Sequence, residues 1–378
     1  MSGTSADGID AVLLELPGFP PCWSAPSPLS LSGAAPRGKV LAHEFTPYTD
    51  ALREQVFEAS RDTLPPSRLA QLHFRLGRAY AAAAANLAPQ ADIIACHGQT
   101  VQHIPRLDAG RGWTERATLQ LGEAATIAEA TRRPVISDFR PADLAAGGQA
   151  APLVPWADWV LFAQDGVRRA VHNLGGISNL TYLPGTDATA VLAFDTGPAN
   201  ALIDELVARH GLRLDEGGRL ALGGQVHQSL VESWLGDAFL RLPPPKSTGR
   251  EEWTLARLNG LQGLEFADAL ATVTAFSAAS VVAAYREFVL PRGLDEVIVA
   301  GGGAHNVAFM NHLIRGLDPI PVSLISDPPF AWNAAWREAA AFALLGYAFT
   351  RQIVNTLPNT TGARHAVIAG KLTLPTPH

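Results

Sequence analysis

The stretch NLGGISNLT, residues 173–181, decides the fold class, because it predicts two short strands joined by a glycine turn. A second stretch with small residues and hydroxyl side chains, GTSADGID at residues 3–10, lies in the other half of the chain. Turns of this kind present backbone N–H groups that bind phosphate. Either turn alone also fits an ordinary polar hairpin. Two of them favour a protein with one phosphate-binding turn in each half.

Predicted strands and helices alternate around these turns, which is typical of layered α/β domains. Strands are predicted over residues 9–16, 93–96, 117–121, 135–138, 169–174, 180–183, 191–194 and 296–300. Helices are predicted over residues 52–60, 67–88, 122–131, 198–210, 266–288 and 336–350. The segment 17–38, rich in Gly and Pro, is predicted to be a loop.

The composition of the 378 residues restricts the function classes. Acidic residues number 35 and basic residues 29, and this net charge of −6 argues against a generic nucleic-acid-binding protein. No run approaches the roughly 18 apolar residues of a membrane span, and the first residues lack the pattern of a secretory signal. With only Cys22 and Cys96, a disulfide framework is excluded and a reducing cytoplasm is expected.

Two further motifs place polar groups after apolar strands. In FDTGPAN, residues 194–200, Asp195 follows a strand and precedes a helix, which is where α/β proteins bind ligands. A helix cap is the alternative interpretation of Asp195. In VAGGGAHN, residues 299–306, three glycines would let an adenine or ribose lie against the backbone, although this signal is weak by itself.

The segment DFRPADLAAGGQAAP, residues 138–152, contains side chains of the types that orient sugars or acids. These are Arg140, Asp143 and Gln149. A surface loop with ordinary polar residues is the alternative.

Acidic and histidine residues are the candidate metal ligands of this sequence. Asp7 and Asp10 accompany the first turn, where a carboxylate beside a phosphate loop suits a bridging cation. His97 and His103 are six residues apart, which is not a usual metal-ligand spacing. Cys96 is predicted to be a core residue.

Taken together, these segments resemble the anhydro-N-acetylmuramic acid kinases. The matching stretches keep the family's order from residue 1 to about residue 347 and are MSGTSADGID, ACHGQTVQH, DFRPADLAAGGQAAPLVP, HNLGGISNLTYL, FDTGPANALID, PPKSTGRE, VAGGGAHN and REAAAFALLGY. The resemblance implies the α/β two-domain fold of actin, Hsp70 and sugar kinases, with a mixed sheet and helices in each domain and nucleotide in the interdomain cleft. The first predicted domain is 1–137 with 350–378, and the second is 138–349.

The resemblance also implies a reaction that uses ATP and Mg²⁺. A 1,6-anhydro-N-acetylmuramic acid would be opened by water and phosphorylated at O6, giving N-acetylmuramic acid 6-phosphate in the recycling of peptidoglycan. A homodimer is a further expectation, because the family tends to dimerise. One alternative is a kinase acting on another sugar, since Pro141 and Ala142 stand where the family usually has further basic residues. Another is a nucleotide switch without enzymatic activity.

The resemblance assigns site residues position by position. The catalytic residues are Asp195, as the general base, and Glu338, which helps to position the substrate. The cofactor-binding residues are Gly3, Thr4, Ser5, Ala6, Asp7, Gly8, Ile9, Asp10, Gly175, Gly176, Ser178, Asn179, Gly301, Gly302, Gly303 and Asn306. Asp7 and Asp10 are also the predicted Mg²⁺ ligands. The substrate residues are His97, Gln99, Arg140, Asp143 and Gln149.

Two departures from the family carry predictions of their own. Ala150 and Ala199 stand at usual glycine positions, so backbone angles that favour glycine are predicted to be excluded there. Family members also have a short strand before MSGTS. We therefore expect strand 9–16 to lack a partner in a chain that starts at Met1, and a version longer by about six to eight residues to be more stable.

Overall fold

The computed structural model describes residues 1–2, 6–16, 38–330 and 332–377. It contains two compact units, each with its own sheets and helices. Unit 1 comprises Met1–Leu161 and Ala335–His378, and unit 2 comprises Phe162–Ala334. The α/β fold class is confirmed. The predicted loop over residues 17–38 lies outside the described residues, apart from Gly38.

The strands in chain order are β1 (Gly8–Glu15), β2 (Lys39–Pro47), β3 (Ile94–Ala95), β4 (Gln99–Ile104), β5 (Ala117–Leu121), β6 (Val135–Ser137), β7 (Arg169–Leu174), β8 (Ile177–Leu183), β9 (Leu192–Pro198), β10 (Glu296–Ala300), β11 (Val322–Leu324) and β12 (Lys371–Thr373). The α-helices in chain order are α1 (Asp50–Ser60), α2 (Pro66–Ala84), α3 (Ala124–Thr131), α4 (Pro141–Ala145), α5 (Val154–Phe162), α6 (Asn200–Arg209), α7 (Arg219–Gly223), α8 (Gln228–Trp234), α9 (Ala238–Arg241), α10 (Phe266–Ala284), α11 (Val307–Leu317), α12 (Arg337–Thr350) and α13 (Pro358–Thr361).

Unit 1 contains three small sheets in its described part. Strands β1 and β2 are antiparallel, β4 and β5 form a second antiparallel pair, and the third sheet has the order β12-β6-β3. Helix α2 buries Leu72, Leu76 and Tyr80 at helical spacing, so one apolar stripe faces the core. Each such leucine contributes about 1.5–3 kcal/mol by leaving water.

A groove of about 370 Å³ lies in unit 1 between β1 and β3. Its walls include residues 9–16 and residues 93–96. Within the described chain, β1 pairs with β2 alone and β3 pairs with β6 alone, so the groove separates two sheets. The expectation that strand 9–16 lacks a partner is therefore wrong, because β2 supplies one. Met1 lies at one end, where its amino group donates to the Asp10 carbonyl at 2.8 Å. Burial lowers the pKa of this amino group.

Unit 2 has one five-stranded sheet in the order β11-β10-β7-β8-β9. Strands β7, β10 and β11 are parallel, and β8 is antiparallel to both of its neighbours. Helix α10 is buried on almost all sides in the core of this unit. Among the described residues, Phe266–Arg292 is the one helical stretch that passes a membrane-span test by length and composition, but 72% of its apolar window is buried, as in a core helix.

The predicted strands and helices all correspond to elements of the structure, but some boundaries and elements differ. The helix predicted from Pro198 begins at Asn200, because β9 continues through Pro198. Several elements were not predicted, among them strand β2, strand β4 and helix α11. Asn306 before an apolar helical stripe is a recognisable start signal for α11.

The boundaries of the two units differ from the predicted domain boundaries. Residues 138–161 and 335–349 belong to unit 1 rather than to the second part of the chain. The physical reason is packing, since α12 contacts β1, β3 and β6 of unit 1.

Candidate functional site

A row of three polar side chains crosses the sheet of unit 2. The strand register places Asn173 of β7 opposite Asn179 of β8, and Asn179 opposite Asp195 of β9. Residues that are directly opposite in antiparallel strands point to the same face. All three are partly exposed, whereas their neighbours Leu174 and Phe194 are buried. The sheet therefore presents a polar row that ends at Asp195.

A bulge in β9 adjusts the position of Asp195. Ser178 pairs with Gly197 while Asn179 pairs with Asp195, which leaves Thr196 as an extra residue in β9. Bulges bend a strand locally and re-aim its side chains, often beside active sites.

A buried chain of hydrogen bonds holds this bulge in place. The Thr196 hydroxyl donates to Ser178 Oγ at 2.6 Å, and Ser178 Oγ is hydrogen-bonded to His172 Nε2 at 2.6 Å. His172 Nδ1 is hydrogen-bonded to the Tyr285 hydroxyl at 3.0 Å. All four residues are buried. The hydroxyl of Ser178 therefore has a structural role, and the predicted contact of Ser178 with the cofactor stays a prediction.

Asp195 is held by both its backbone and its carboxylate. Its N–H donates to the Lys246 carbonyl at 3.0 Å, and its Oδ2 accepts the Thr248 N–H at 2.9 Å. Burial raises the pKa of Asp195 to about 6, although Thr248 and Lys246 both act to lower it. A carboxylate with this pKa is ionised at neutral pH and is a better proton acceptor than an ordinary aspartate.

The glycine turn at Gly175 and Gly176 is tied to the start of α6. The Gly175 carbonyl accepts the Asn200 N–H at 3.0 Å, and the Gly176 carbonyl accepts those of Ala199 and Ala201 at 3.0 and 2.9 Å. Because the carbonyls serve the helix, the amide N–H groups of the turn are its candidate groups for phosphate.

Arg250 lies over this turn and was not predicted as a site residue. A Cβ atom added to Gly176 would lie 2.6 Å from Arg250 Nε, so the guanidinium packs on the glycine backbone. Arg250 also forms an ion pair with Asp204 at 2.6 Å. The segment PPKSTGRE contained the signal, but the pattern alone gave it no role.

The three glycines at 301–303 pack beside the end of β7. Gly301 has φ +89°, and a Cβ there would lie 2.7 Å from the Leu174 carbonyl oxygen. A Cβ on Gly303 would lie 2.9 Å from the Leu174 side chain, whereas one on Gly302 would meet no described atom within 4 Å. Gly302 therefore offers an open backbone surface next to the turn that follows Leu174.

Two predicted residues lie at helix N-termini. Asn306 is the N-cap of α11, and its side chain accepts the Phe309 N–H at 3.0 Å. Glu338 is exposed in the first turn of α12, where a carboxylate interacts favourably with the helix dipole. The capping bond gives Asn306 a structural role, and Glu338 keeps an exposed carboxylate.

In unit 1, His97 orients Arg140. The Arg140 Nε–H donates to His97 Nε2 at 3.0 Å, and Arg140 Nη1 donates to the Ala150 carbonyl at 2.6 Å. His97 Nδ1 donates to the Gly98 carbonyl at 2.8 Å, and its ring packs on Phe342. Burial and the Arg140 charge hold the pKa of His97 well below its usual range, so His97 is a neutral support for the guanidinium.

Two other predicted substrate residues are buried and hydrogen-bonded within unit 1. Asp143 is fully buried, and its carboxylate accepts the Ala150 N–H and the Thr361 hydroxyl, both at 2.7 Å. Gln99 is 1% exposed and accepts a hydrogen bond from the Tyr48 hydroxyl at 3.3 Å. These contacts give both side chains structural roles, and their predicted contact with the substrate stays a prediction.

The loop beside Asp143 contains one of the two unusual alanines. Ala150 has φ +58°, so it adopts the left-handed region that the sequence was predicted to exclude. Ala199 has φ −120° and needs no such conformation. Gln149 is partly exposed, and its backbone N–H donates to the Thr361 carbonyl at 2.8 Å.

The first turn is described only in part, since residues 3–5 lie outside the described chain. Ala6 is buried with φ +48°, and Asp7 is exposed. Asp10 Oδ1 is hydrogen-bonded to His43 Nε2 of β2 at 2.9 Å. No group of three or more His, Cys, Asp or Glu residues with metal-binding geometry occurs within the described ranges.

Gly8 and Ile9 belong to the strand that follows this turn. A Cβ on Gly8 would lie 2.5 Å from the Thr46 carbonyl oxygen, so glycine is required for the pairing with β2. Ile9 is 2% exposed in the core, which leaves its backbone, and not its side chain, for any contact with a ligand.

Glycine turns at strand ends and an activated carboxylate on an α/β unit are features of phosphoryl-transfer enzymes. The family model described as anhydro-N-acetylmuramic acid kinase matches residues 1–375. Curated relatives of that name are 37% identical in Caldanaerobacter subterraneus subsp. tengcongensis, covering 99% of this chain and 96% of the relative, and 41% identical in Prochlorococcus marinus, covering 98% and 97%. A relative in Salinibacter ruber is 40% identical over 100% of this chain and 96% of its own length.

The chain therefore belongs to the anhydro-N-acetylmuramic acid kinase family, a family of sugar kinases. The family predicted from the motifs is confirmed. Among solved structures, a ROK family glucokinase from Streptomyces griseus covers 81% of this chain and 92% of its own, at 13% identity and a TM-score of 0.35. That likeness is too distant to assign any residue.

Proposed function

We propose that this chain transfers the γ-phosphoryl group of ATP to 1,6-anhydro-N-acetylmuramic acid with hydrolytic opening of the sugar's anhydro bridge. The observation that carries the proposal is Asp195, a partly buried carboxylate at the end of a polar row, held beside a phosphate-type glycine turn. The product would be N-acetylmuramic acid 6-phosphate, which belongs to the recycling of cell-wall peptidoglycan.

The proposed reaction couples the opening of the anhydro bridge to phosphoryl transfer. The oxygen of water forms a bond to the anomeric carbon, and the bond from that carbon to O6 breaks. O6 forms a bond to the γ-phosphorus of ATP, and ADP leaves. The proton of the attacking water passes to the carboxylate of Asp195. A positioned general base of this kind contributes about 10²–10⁴-fold to the rate.

The unit 2 residues divide into a base and a phosphate-binding group. Asn179, directly across from Asp195, supplies an amide that can hydrogen-bond the attacking water or the sugar. The N–H groups of the 175–176 turn and the Arg250 guanidinium supply positive potential for phosphate oxygens. The flat backbone at Gly302 is the place for the nucleoside.

In unit 1, Arg140 is the residue for the lactyl carboxylate of the sugar. Burial lowers the pKa of Arg140 to about 10, and the charge of Glu338 opposes that shift, so the guanidinium stays charged at neutral pH. His97 fixes its orientation, which suits bidentate recognition of a carboxylate. This role compensates for Pro141 and Ala142, which cannot supply the family's further positive charges.

Mg²⁺ would reach the protein bound to ATP. It keeps several waters and phosphate oxygens as ligands, so one or two protein carboxylates are enough. Asp7 and Asp10 stay the predicted ligands of the ion, and Asp7 is the exposed carboxylate beside the first turn. Bound there, Mg²⁺ would neutralise charge on the phosphates. A cytoplasmic location and a homodimer stay predictions.

The test is ADP release by the purified chain from ATP and Mg²⁺, with and without the anhydro sugar. A panel of other sugars separates this proposal from a kinase of another specificity. Release that requires the anhydro sugar supports the proposal. Release with another sugar alone would assign another substrate, and sugar-independent binding without turnover would favour a nucleotide switch.

A further inference from the structure

Lys246 is a buried cation whose backbone contacts the candidate base. Its side chain is 6% exposed, and Nζ donates to the carbonyls of Phe239 at 3.0 Å and Leu240 at 2.9 Å. Nζ also lies 4.8–5.9 Å from the ring centroids of Phe194, Phe239 and Phe288. Two carbonyls and three aromatic faces are the groups that stabilise an ammonium ion away from water.

A buried ammonium ion is costly, so its retention in this pocket calls for a reason. Burial lowers the pKa of Lys246 to about 8, and the negative charge of Asp195 opposes that shift. The side chain is therefore still positively charged at neutral pH. In the opposite direction, the charge of Lys246 lowers the pKa of Asp195.

The backbone next to Lys246 holds Asp195 directly. The Lys246 carbonyl accepts the Asp195 N–H, and two residues later the Thr248 N–H donates to the Asp195 carboxylate. The Thr248 hydroxyl donates to Glu252 at 2.6 Å and accepts the Trp253 indole N–H at 3.1 Å. The Lys246 side chain ties the start of this segment to the end of α9.

We propose that Lys246 is a positioning residue for Asp195, anchoring segment 246–248 along β9 and supplying a buried positive charge near the Asp195 carboxylate. This inference rests on the proposed function, because it assumes that Asp195 is the general base that Lys246 positions. It adds a residue to which the motif reasoning assigned no role.

The charged groups around Asp195 make Lys246 the one to test. Among the charged side chains of the described chain, Lys246 alone shifts the pKa of Asp195. Asn179 on β8 is uncharged, Glu252 is bound to Thr248, and Arg250 is paired with Asp204.

The experiment compares the pH dependence of kcat in wild type and in Lys246→Met. Without the positive charge, the acidic limb of the profile should move up by about one pH unit or more. At pH 6 the variant should then lose about fivefold in rate beyond any loss at its plateau. Lys246→Gln keeps a donor for the carbonyls but not the charge, so it should move the acidic limb in the same direction. It provides the test if the methionine variant fails to fold.

Arg257→Met is the matched control. Arg257 anchors the same region through two bonds to Asp237, at 2.7 and 2.9 Å, and one to the Glu252 carbonyl at 2.9 Å. It does not shift the pKa of Asp195. Its loss should lower the melting temperature while the acidic limb stays at the wild-type pH.

A carboxyl NMR titration of Asp195, assigned with Asp195→Asn, distinguishes failure of the proposed role of Asp195 from failure of the proposed role of Lys246. If Asp195→Asn keeps turnover, the proposed function of Asp195 fails. If that variant is inactive but the Asp195 titration is unchanged in Lys246→Met and Lys246→Gln, the role of Lys246 is overturned. A raised Asp195 pKa together with a shifted kcat limb supports it.

Discussion

The predicted polar residues of the two units differ in what their hydrogen-bonding groups contact. In unit 2, Asn179 and Asp195 lie on a sheet face and remain partly exposed. In unit 1, Asp143 and Gln99 are buried and bonded to neighbours within the fold. The difference shows that a polar residue in a recognised motif can serve the fold as readily as the ligand. We therefore expect available bonding capacity, more than residue type, to mark the functional residues.

Asp195→Asn should have the largest effect, because it removes the proposed base without changing its shape. Turnover should fall by at least about 10²-fold, while ATP binding persists. Kinetics and calorimetric ATP titration measure the two quantities. Asp165→Asn, the same change at an exposed residue of unit 2, is the control and should keep wild-type turnover. Near-normal turnover in Asp195→Asn would remove Asp195 from the mechanism.

The same variant should be more stable than wild type at pH 7. The pKa of Asp195 is about 6 in the folded protein and 3.8 ordinarily, so the folded state binds this proton more tightly. Its contribution to stability is therefore full at low pH and is lost as pH rises through about 6. Thermal melts at pH 7 should give a higher melting temperature for Asp195→Asn, and a lower one would contradict the buried-carboxylate interpretation.

A comparison of Arg140→Met with Asp143→Asn tests the contrast in unit 1 between a proposed substrate-binding residue and a buried structural one. Loss of a charged contact to the sugar should raise KM by about tenfold or more in Arg140→Met. Asp143→Asn should instead lower the free energy of unfolding by about 1–3 kcal/mol, with a smaller change in KM. Steady-state kinetics and urea unfolding measure both. A larger KM change at Asp143 would support the predicted contact of that residue with the substrate.

A strand added before Met1 should fill the groove between β1 and β3. Met1 and Asp10 already exchange backbone hydrogen bonds at 2.8 Å, so an added strand would continue antiparallel along β1. About six alternating apolar residues should raise the melting temperature by several degrees. A Gly/Ser extension of equal length is the control, and equal melting of both versions would show that the groove does not accept a strand.

Ala150→Gly should give the smallest effect. Alanine at φ +58° is strained by about 1 kcal/mol, part of which is offset by the greater freedom of glycine in the unfolded chain. We expect a gain of at most about 1 kcal/mol in unfolding free energy. Ala199→Gly, at negative φ, should give no gain, and equal gains at both positions would show that φ is not the cause.

Much of the fold of unit 2 could be predicted from the sequence. The turn at Gly175 and Gly176, the strand carrying Asp195 and the long apolar helix all have local signals in glycine placement and apolar periodicity. The bulge at Thr196 has no such signal, because it depends on a buried hydrogen-bond chain reaching as far as Tyr285.

The site could be predicted less completely, because motifs give residue types but not burial. Asp143 and Arg140 occupy one motif, but their surroundings differ. The Asp143 carboxylate is fully buried, whereas the Arg140 guanidinium is held in place by His97. Lys246 and Arg250 were visible in PPKSTGRE, but their contacts with Asp195 and Gly176 come from parts of the chain distant in sequence.

The mass of the product tests the central claim most directly. The purified chain would be incubated with ATP, Mg²⁺ and 1,6-anhydro-N-acetylmuramic acid, and the sugar product weighed by mass spectrometry. We predict the mass of the substrate plus one water and one phosphoryl group, with no such product from Asp195→Asn. A phosphorylated sugar that retains the anhydro bridge, or an opened sugar without phosphate, would contradict the coupled mechanism.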